Sequence, residues 1–250
     1  MKFFVNENQI LDNKIEIIGQ DVNHIKNVLR KKDGDVLNIV CKDNNKNYVT
    51  EISEIDQEKI VTNIIDEKDG VSEANVSIHI FQGLPKADKM ELIIQKCTEI
   101  GVSDITPVVF KRSVVKLDDK DKIKKLDRWK KIAEVAAKQS ERDSILEVNP
   151  ICNIDELCDG LEVFDCVILA YEKEEDRYLR DVINKIERRD NLKVAVIIGP
   201  EGGIDETEVE KLKKAKANSV SLGKRILRTE TAPIVLASII MYELGDIGGK

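Results

Sequence analysis

The sequence has few of the residues that hold metal ions or form disulfides. Its two histidines, His24 and His79, stand apart, and no two of its five cysteines form a CxxC pair. Zinc sites need Cys, His or carboxylate ligands at characteristic spacings, and no such pattern is present. We therefore expect reduced, structural thiols and no metal ion. A chain of 250 residues can bury a sufficient core without such staples.

Long apolar runs are also missing. A membrane-spanning helix needs about 20 consecutive apolar residues, and no run in the sequence approaches that length. The residues from Met1 to Val5 do not lead into the apolar core of a secretory signal. We therefore expect a cytoplasmic protein without membrane contact.

An excess of positive charge is absent too. The chain has 40 Lys and Arg residues and 47 Asp and Glu residues, which gives a formal net charge of −7. Nucleic-acid-binding proteins normally present a basic surface, so a large electrostatic footprint is not expected. A local basic patch on an acidic protein remains compatible with this sum.

The pattern of the chain changes near residue 72. Before that point, β-rich runs at 36–40, 48–52 and 60–65 accompany one stretch of helical spacing at 19–30. Several short strands with one helix predict a small β-barrel-like domain. A polar, charged segment ending at Gly70 marks its boundary. We therefore divide the chain into residues 1–72 and residues 73–250.

Residues 73–250 alternate between strand and helix patterns. Strands are predicted at 76–81, 105–110, 166–170, 194–198 and 219–222, and helices at 85–100, 121–140, 205–217 and 233–244. Pro85 suits the first position of its helix, and Gly101 is the stop signal. The runs at 166–170 and 194–198 are apolar throughout, as in strands buried on both faces. The alternation predicts an α/β fold with a mainly parallel sheet.

A glycine-rich turn follows the apolar run at 194–198. It consists of Gly199, Pro200, Glu201, Gly202 and Gly203. Open α/β sheets bind ligands where a strand ends in such a turn, because glycine lets the backbone approach a ligand closely. The turn is neither a P-loop nor a GxGxxG motif. By itself it is equally compatible with a plain helix start capped by Asp205.

A second loop, at 221–232, holds three basic residues and a carboxylate. Lys224, Arg225, Arg228 and Glu230 lie between a short strand and an apolar helix that begins at Pro233. Charged residues at the carboxyl edge of a sheet usually serve a site when they converge on a neighbouring glycine loop. The alternative is a charged loop that contacts only solvent.

These two segments together carry a family resemblance. Gly199–Ile204 and Leu222–Ala232 closely resemble the ribosomal RNA small subunit methyltransferase E family of the SPOUT class, which methylates uridine at N3. The resemblance extends to Gln82–Lys86, Lys96–Gly101, Arg112–Val114, Ala136–Arg142 and His24–Arg30. It implies a PUA-like barrel at 1–72 and a SPOUT methyltransferase domain at 73–250. The family's second domain contains a trefoil knot, an exception to the rule against threaded chains.

The resemblance also implies S-adenosylmethionine as the cofactor and no metal ion. The implied cofactor residues are Leu169 with the loop after it, the turn Gly199 to Gly203, and Leu222, Gly223, Ile226 and Leu227. Backbone groups hold most of the cofactor in this family. The apolar side chains of Leu222, Ile226 and Leu227 suit an adenine face.

The implied chemistry needs a deprotonated nitrogen. Uridine N3 carries a proton at neutral pH, so the site needs a base or must stabilise the uracil anion. Glu230 is the candidate base, Arg228 the candidate anion-stabilising group, and Arg142 a third candidate, because it ends a segment that matches a family motif. A helix-capping role for Glu230, or an ion pair with Arg225 or Arg228, is the structural alternative.

The implied partners are 16S ribosomal RNA of the small subunit and a second copy of the chain. Candidate RNA contacts are Lys2, Arg30, Lys111 and Arg112. Family members commonly carry Arg where this chain has Lys2, which keeps the charge but loses bidentate phosphate geometry. The apolar helix at 233–244 suits a homodimer interface, although such helices also form ordinary cores.

Three other functions stay open. One is a non-catalytic RNA-binding protein with a degenerate methyltransferase domain, against which the intact glycine turn argues. A nucleotide-dependent α/β enzyme is another, although the chain lacks both phosphate-binding motifs. The third is a SPOUT methyltransferase that acts on another RNA, such as transfer RNA.

Overall fold

The computed structural model describes residues 1–44, 46–70 and 74–249. The chain forms two compact units. The first unit comprises Met1–Glu73 and Ala137–Ser144, and the second comprises Ala74–Ala136 and Ile145–Lys250. The expected domain boundary near residue 72 lies outside the described residues.

The first unit is built on a six-stranded sheet. Its strands are β1 (Lys2–Val5), β2 (Ile10–Leu11), β3 (Lys14–Ile18), β4 (Val36–Cys41), β5 (Lys46–Ile55) and β6 (Lys59–Asp69). Their order is β1-β4-β5-β6-β3-β2, with β1 and β4 parallel and the other neighbours antiparallel. Strand alternation places Ile15 and Ile17 in a core with Phe3, Ile39 and Ile60. The strands predicted at 36–40, 48–52 and 60–65 are confirmed, and each is longer than predicted.

The predicted helix at 19–30 is only partly present. Helix α1 (Gln20–Asn23) passes into a single π-helical turn, His24–Val28, and Arg30 leaves helical geometry with a φ of 52°. Val22 and Ile25 are buried, as the helical spacing predicted. Val28 and Leu29, the other two residues of the predicted apolar stripe, are exposed, so the stripe was correct only in its first half. The helix type was wrong, because side-chain spacing over two turns does not distinguish a π turn from an α turn.

The second unit contains a seven-stranded sheet. Its strands are β7 (Val76–Gly83), β8 (Asp104–Val109), β9 (Glu147–Val148), β10 (Cys152–Asn153), β11 (Cys166–Ala170), β12 (Leu192–Ile198) and β13 (Asn218–Val220). The order is β10-β8-β7-β12-β11-β13, and β9 also pairs with β8. All these pairings among the described residues are parallel. The predicted α/β class with a mainly parallel sheet is confirmed.

Both faces of the central strands are buried. Val194 and Val196 of β12 face one apolar cluster with Ile168 of β11, whereas Ala195 and Ile197 face a second cluster. A strand with two buried faces has no solvent side on which to carry polar residues. This explains the unbroken apolar runs at 166–170 and 194–198.

Among the described residues, six helices of the second unit cover the sheet. They are α2 (Lys89–Ile100), α3 (Asp119–Gln139), α4 (Ile154–Gly160), α5 (Leu179–Ile183), α6 (Glu206–Lys214) and α7 (Thr231–Leu244). Helices α2, α3, α5 and α7 contribute to the first cluster, and α4 and α6 contribute to the second. The last residues of α3, from Ala137 on, belong to the first unit.

The four predicted helices are present, but the first begins later than predicted. Helix α2 starts at Lys89 and not at Pro85. Ala87 has a φ of 54°, outside the right-handed helical region, and Asp88 is the residue that precedes the first turn. The stop at Gly101 is confirmed, with a left-handed φ of 106°. Helices α4 and α5 were not predicted, since they have seven and five residues, too few to show a repeated apolar period.

The cap of α4 gives a stability prediction. The Oδ1 atom of Asn153 accepts hydrogen bonds from the backbone N–H groups of Asp155 at 2.8 Å and Glu156 at 3.1 Å. Asn153→Ala should lower the free energy of unfolding by about 1 kcal/mol, because both N–H groups lose their acceptor. Urea unfolding followed by the fluorescence of Trp129, the sole tryptophan, measures this change. Asp159→Ala, at an exposed position of the same helix, is the control and should change stability by less than about 0.5 kcal/mol. Equal effects of the two substitutions would contradict the capping role.

Candidate functional site

The carboxyl ends of β11, β12 and β13 open into a cavity of about 460 Å³. Parallel strands deliver their carboxyl-terminal loops to the same edge of a sheet. The cavity walls are formed by residues 170–172 after β11, 198–203 after β12, and 221–223 and 225–229 after β13, together with Lys89 and Ala232. The volume is typical of a site for a small organic ligand.

The cavity brings together the two loops singled out in the sequence. It is lined by Gly199, Pro200, Glu201, Gly202, Gly203, Leu222, Gly223, Ile226 and Leu227. Leu169 does not line it, because its side chain is fully buried in the core. The wall after β11 is formed by Ala170, Tyr171 and Glu172 instead. On this strand, the cavity wall therefore begins one residue later than Leu169.

The glycine turn is packed tightly against its neighbours. A Cβ atom at Gly83, the last residue of β7, would overlap the backbone nitrogen of Pro200. One at Gly202 would lie 3.0 Å from the carbonyl oxygen of Arg112. Gly203 has a φ of 70°, a conformation in which side chains are strained. Packing therefore excludes a side chain at Gly83 and leaves little room for one at Gly202, and the backbone conformation favours glycine at 203.

The same turn also starts a helix. Asp205 precedes α6, and its side chain accepts a hydrogen bond from the N–H of Thr207 at 3.2 Å. The side chain of Glu208 accepts in return from the N–H of Asp205 at 3.3 Å. Both interpretations of the segment therefore hold, since it is a capped helix start and a cavity wall.

A buried chain of hydrogen bonds joins the glycine turn to the second loop. The hydroxyl of Thr229 donates to the carbonyl oxygen of Gly199 at 2.7 Å and accepts from Nε2 of Gln82 at 2.9 Å. Gln82 is fully buried near the end of β7, and its Nε2 also donates to the carbonyl oxygen of Gly83 at 3.0 Å. Breaking a buried hydrogen bond is unfavourable, so this chain fixes the spacing of the two loops.

Lys89, a residue of the cavity wall, binds two carboxylates. Its Nζ lies 3.0 Å from Oε1 of Glu201 and 3.1 Å from Oε2 of Glu230. The backbone N–H of Lys86 donates to the same Oε1 of Glu201 at 3.0 Å. Sequence reasoning missed Lys89, because a lysine at the start of a charged helix carries no distinguishing signal. The segment Gln82–Lys86, which matched the family pattern, was the nearest signal in the chain.

The contacts of this cluster shift its pKa values. Burial raises the pKa of Glu230, but hydrogen bonds from its own backbone N–H and from Lys89 outweigh burial and bring it below the ordinary value. Burial likewise raises the pKa of Glu201, but hydrogen bonds from the N–H of Lys86 and the ammonium of Lys89 outweigh burial and bring it below the ordinary value. The pKa of Lys89 is raised by its hydrogen bonds to Glu201 and Glu230. All three side chains are therefore charged at neutral pH.

The second loop presents an apolar rim and free backbone donors. Ile226 is 87% exposed, whereas Leu222 and Leu227 pack against the core. In the part of the chain that the structure describes, the backbone N–H groups of these three residues donate to no protein acceptor. An apolar ring with acceptor nitrogens, such as adenine, would cover the rim and satisfy such donors.

The candidate catalytic residues are placed differently from one another. Arg228 is exposed and lines the cavity. Glu230 is not a lining residue; its carboxylate, 17% exposed, reaches the wall through Lys89. That ion pair replaces the arginine partners weighed from the sequence. Arg142 belongs to the first unit, where its Nη2 donates to the hydroxyl of Ser144 at 3.0 Å.

The candidate RNA contacts are divided between the units. In the second unit, Lys111 and Arg112 are exposed and lie 3.8 Å and 3.3 Å from the carboxylate of Asp205. In the first unit, Arg30 is exposed, and Lys2 forms an ion pair with the buried carboxylate of Asp143. Three of the four cations therefore already have a carboxylate partner.

The residues that the structure describes contain neither a metal-binding cluster nor a membrane-spanning helix. They include no group of three or more His, Cys, Asp or Glu side chains placed to hold a metal ion. None of their helices is long and apolar enough to cross a bilayer.

Two family models match this chain. A model for an RNA methyltransferase domain matches residues 72–241, and one for an RNA methyltransferase PUA domain matches residues 17–65. Ribosomal RNA small subunit methyltransferase E of Bacillus subtilis is 37% identical over 91% of this chain and 89% of its own length. The chain belongs to this RNA methyltransferase family. The protein of the same name from Mesomycoplasma hyopneumoniae is 34% identical over 94% of this chain and 96% of its own length.

Solved structures of two relatives share the fold. Ribosomal RNA small subunit methyltransferase E of Neisseria gonorrhoeae, solved with S-adenosylmethionine bound, has a TM-score of 0.85 and 28% identity over 98% of both chains. A Legionella pneumophila protein described as a methyltransferase, solved with bound S-adenosylmethionine, has a TM-score of 0.88 and 27% identity over 98% of both chains. The expected fold class, a SPOUT-type parallel sheet preceded by a PUA-like domain, is confirmed.

The packing of the glycine turn predicts the effect of a larger residue. Gly202→Val would press the turn away from the carbonyl oxygen of Arg112, and overpacking of this kind costs about 1–3 kcal/mol. Calorimetry should show binding of S-adenosylmethionine weakened about tenfold or more. Gly160→Val is the control, because a Cβ at Gly160 meets no atom within 4 Å. A folded Gly202→Val variant with wild-type affinity would contradict this placement.

Proposed function

We propose that this protein transfers a methyl group from S-adenosylmethionine to N3 of a uridine in 16S ribosomal RNA of the small subunit. The observation that carries the proposal is the cavity at the ends of β11, β12 and β13, walled by the glycine turn and the second loop. The names of the relatives and the cofactor bound in two of them support it. The uridine N3 position rests on the family resemblance of the two loops.

The residues around the cavity suit this cofactor. Leu222, Ile226 and Leu227 offer apolar surface for the adenine ring and backbone N–H groups for its nitrogens. Gly199–Gly203 keeps the opposite wall free of side chains at three of its five positions, so the ligand can lie against backbone. When bound, S-adenosylmethionine supplies an electrophilic methyl group on its sulfonium. The protein orients that group toward the RNA.

Arg228 is the side chain best placed to act on the uracil ring. It lines the cavity and is exposed, so its guanidinium can meet the negative charge that forms on the uracil carbonyl oxygens when N3 loses its proton. Glu230 remains the proposed proton acceptor, but its lowered pKa makes it a weak base. Because Arg228 lines the cavity and Glu230 does not, we assign the main role at the uracil ring to Arg228. Arg142 remains a third candidate catalytic residue.

The proposed RNA contacts are Lys2, Arg30, Lys111 and Arg112. Of these, Lys111 and Arg112 are exposed and pair with the partly exposed Asp205, and Lys111 also donates to the hydroxyl of Thr207 at 2.5 Å. A phosphate could replace the Asp205 carboxylate. Lys2 is bound to a buried carboxylate and is less available. The target RNA lies in the cytoplasm, where we place the reaction.

The proposal is tested by methyl transfer to RNA. Small subunits that lack N3-methyluridine are incubated with the protein and labelled S-adenosylmethionine, and their nucleosides are analysed by mass spectrometry. We expect N3-methyluridine, formed faster as the pH rises from about 7 to about 9, because uracil N3 loses its proton more readily. If N3-methyluridine forms only on transfer RNA, the substrate is transfer RNA and not 16S ribosomal RNA. Cofactor binding without methylation of any RNA would favour the non-catalytic alternative.

The homodimer is proposed to form through α5 and α7. A groove between these helices is lined by apolar side chains, among them the exposed Tyr178, Ile239, Tyr242 and Ile247. An exposed apolar patch of this kind is typical of an association surface. The groove also contains residues 221–223, which line the cofactor cavity, so a second copy seated there would complete the cavity wall.

A charge in this groove should break the dimer. Ile239→Glu is expected to shift the protein from dimer to monomer in analytical ultracentrifugation, because a carboxylate would be buried at the interface without a partner. Val163→Glu is the control, since Val163 is an exposed apolar residue outside the groove. A monomeric wild-type protein, or an unchanged dimer in the Ile239→Glu variant, would contradict the proposed interface.

The domain division at residue 72 and the trefoil knot remain proposals. The two family models end at residue 65 and begin at residue 72, which supports the division. For the knot, the backbone N–H of Ser221 donates to the carbonyl oxygen of Arg177 at 2.8 Å, and Ser221 pairs with Tyr178. These contacts tie the segment after β13 to the loop after β11 and support the proposed knot.

A further inference from the structure

We propose that Lys89 and Glu201 form a subsite for the amino-acid end of S-adenosylmethionine. In this subsite the Lys89 ammonium binds the α-carboxylate of the ligand and the Glu201 carboxylate binds its α-ammonium. The inference rests on the proposed function, since it names the part of that cofactor which these two side chains recognise.

Lys89 and Glu201 lie side by side in the cavity wall. Lys89 Nζ and Glu201 Oε1 are 3.0 Å apart, and both residues line the cavity. Their side chains are 27% and 26% exposed, so a ligand can reach them. A neighbouring cation and anion match a zwitterion, because each charge of the ligand meets the opposite charge. The α-amino and α-carboxyl groups of the cofactor are such a zwitterion.

Each side chain has hydrogen-bonding capacity left for a ligand. A lysine ammonium has three N–H donors. One donates to Oε1 of Glu201, and the Glu230 carboxylate is held as an ion pair at 3.1 Å without hydrogen-bond geometry, so it engages at most one more. Oε1 of Glu201 accepts from Lys89 and from the backbone of Lys86. Among the residues that the structure describes, neither the third donor of Lys89 nor Oε2 of Glu201 bonds to another residue.

Lys89 is held in place against an unfavourable field. It is the first residue of α2, where the positive end of the helix dipole repels a cation. The carboxylates of Glu201 and Glu230 offset that repulsion. Glu230 does not line the cavity but forms an ion pair with Lys89. We therefore treat Glu230 as a positioning residue, which holds the Lys89 ammonium in the subsite.

Two product-like ligands separate this subsite from the rest of the cavity. S-adenosylhomocysteine and 5′-methylthioadenosine share the adenosyl thioether, and only the first carries the amino-acid end. If the ion pair is purely structural, it maintains the shape of the whole cavity, and its loss would weaken the binding of both ligands. A subsite for the amino-acid end affects the first ligand alone.

The test is calorimetric binding of both ligands to Lys89→Met and Glu201→Gln variants of the full chain. We expect each variant to bind S-adenosylhomocysteine about tenfold more weakly than wild type, because one charged hydrogen bond is lost. Binding of 5′-methylthioadenosine should stay within about twofold. Lys96→Met is the matched control, since Lys96 is on the same helix, pairs with Glu99 and does not line the cavity.

The outcomes distinguish this inference from the proposed function. If a variant weakens the binding of both ligands equally, the ion pair has a structural role and the subsite is overturned. Unchanged binding of both ligands would also overturn the subsite. If Lys89→Met does not fold, Glu201→Gln, which keeps the size of the side chain, decides by the same comparison. A wild-type protein that binds neither S-adenosylmethionine nor S-adenosylhomocysteine would overturn the proposed function itself.

Discussion

Strand β12 pairs with β7 on one side and with β11 on the other. The register of these two pairings fixes where the three strands end relative to one another. In this register Ile198 is paired with Gln82 and with Ala170. The segments that follow these strands therefore start at the same edge. Burial of both faces of β12 keeps the register fixed, because a slip of one residue would exchange the side chains of the two apolar clusters.

Two sets of contacts then join the loops that meet at this edge. The neutral set, from Gln82 through Thr229 to Gly199, is buried and fixes the backbone of the two loops. The charged set is centred on Lys89 and is partly exposed. Buried neutral hydrogen bonds set distances between backbone segments, whereas exposed charges remain able to meet a ligand. The site thus has a rigid frame and a charged wall.

Much of the fold could be predicted from the sequence. Strands buried on both faces give unbroken apolar runs, and long helices give several apolar periods, so β11, β12, α3 and α7 were found. Short elements give no such period, and α4, α5 and the π turn at His24–Val28 were missed or misread. The start of α2 was placed too early because Pro85 allows a helix start but does not enforce one. The conformation of Ala87 decides it instead.

The candidate site was predictable where it depends on one segment. The glycine turn and the second loop have distinctive residues, and the cavity contains both. Lys89 was missed, because its partners Glu201 and Glu230 are more than 100 residues away along the chain and no local pattern connects them. Leu169 is buried in the second apolar cluster, whereas Ala170 ends β11 at the edge where the cavity opens, and the sheet sets both positions.

The sequence by itself determined the α/β class, the strands buried on both faces and the two loops that form the site, because apolar periodicity and glycine-rich turns are local properties. The tertiary structure decided which charges meet. The pairing of Glu230 with Lys89 and the burial of Gln82 beside Thr229 depend on the sheet register and on the packing of α2. Long-range contacts of this kind form only when the core forms, since no interaction between neighbours along the chain places either partner in its position.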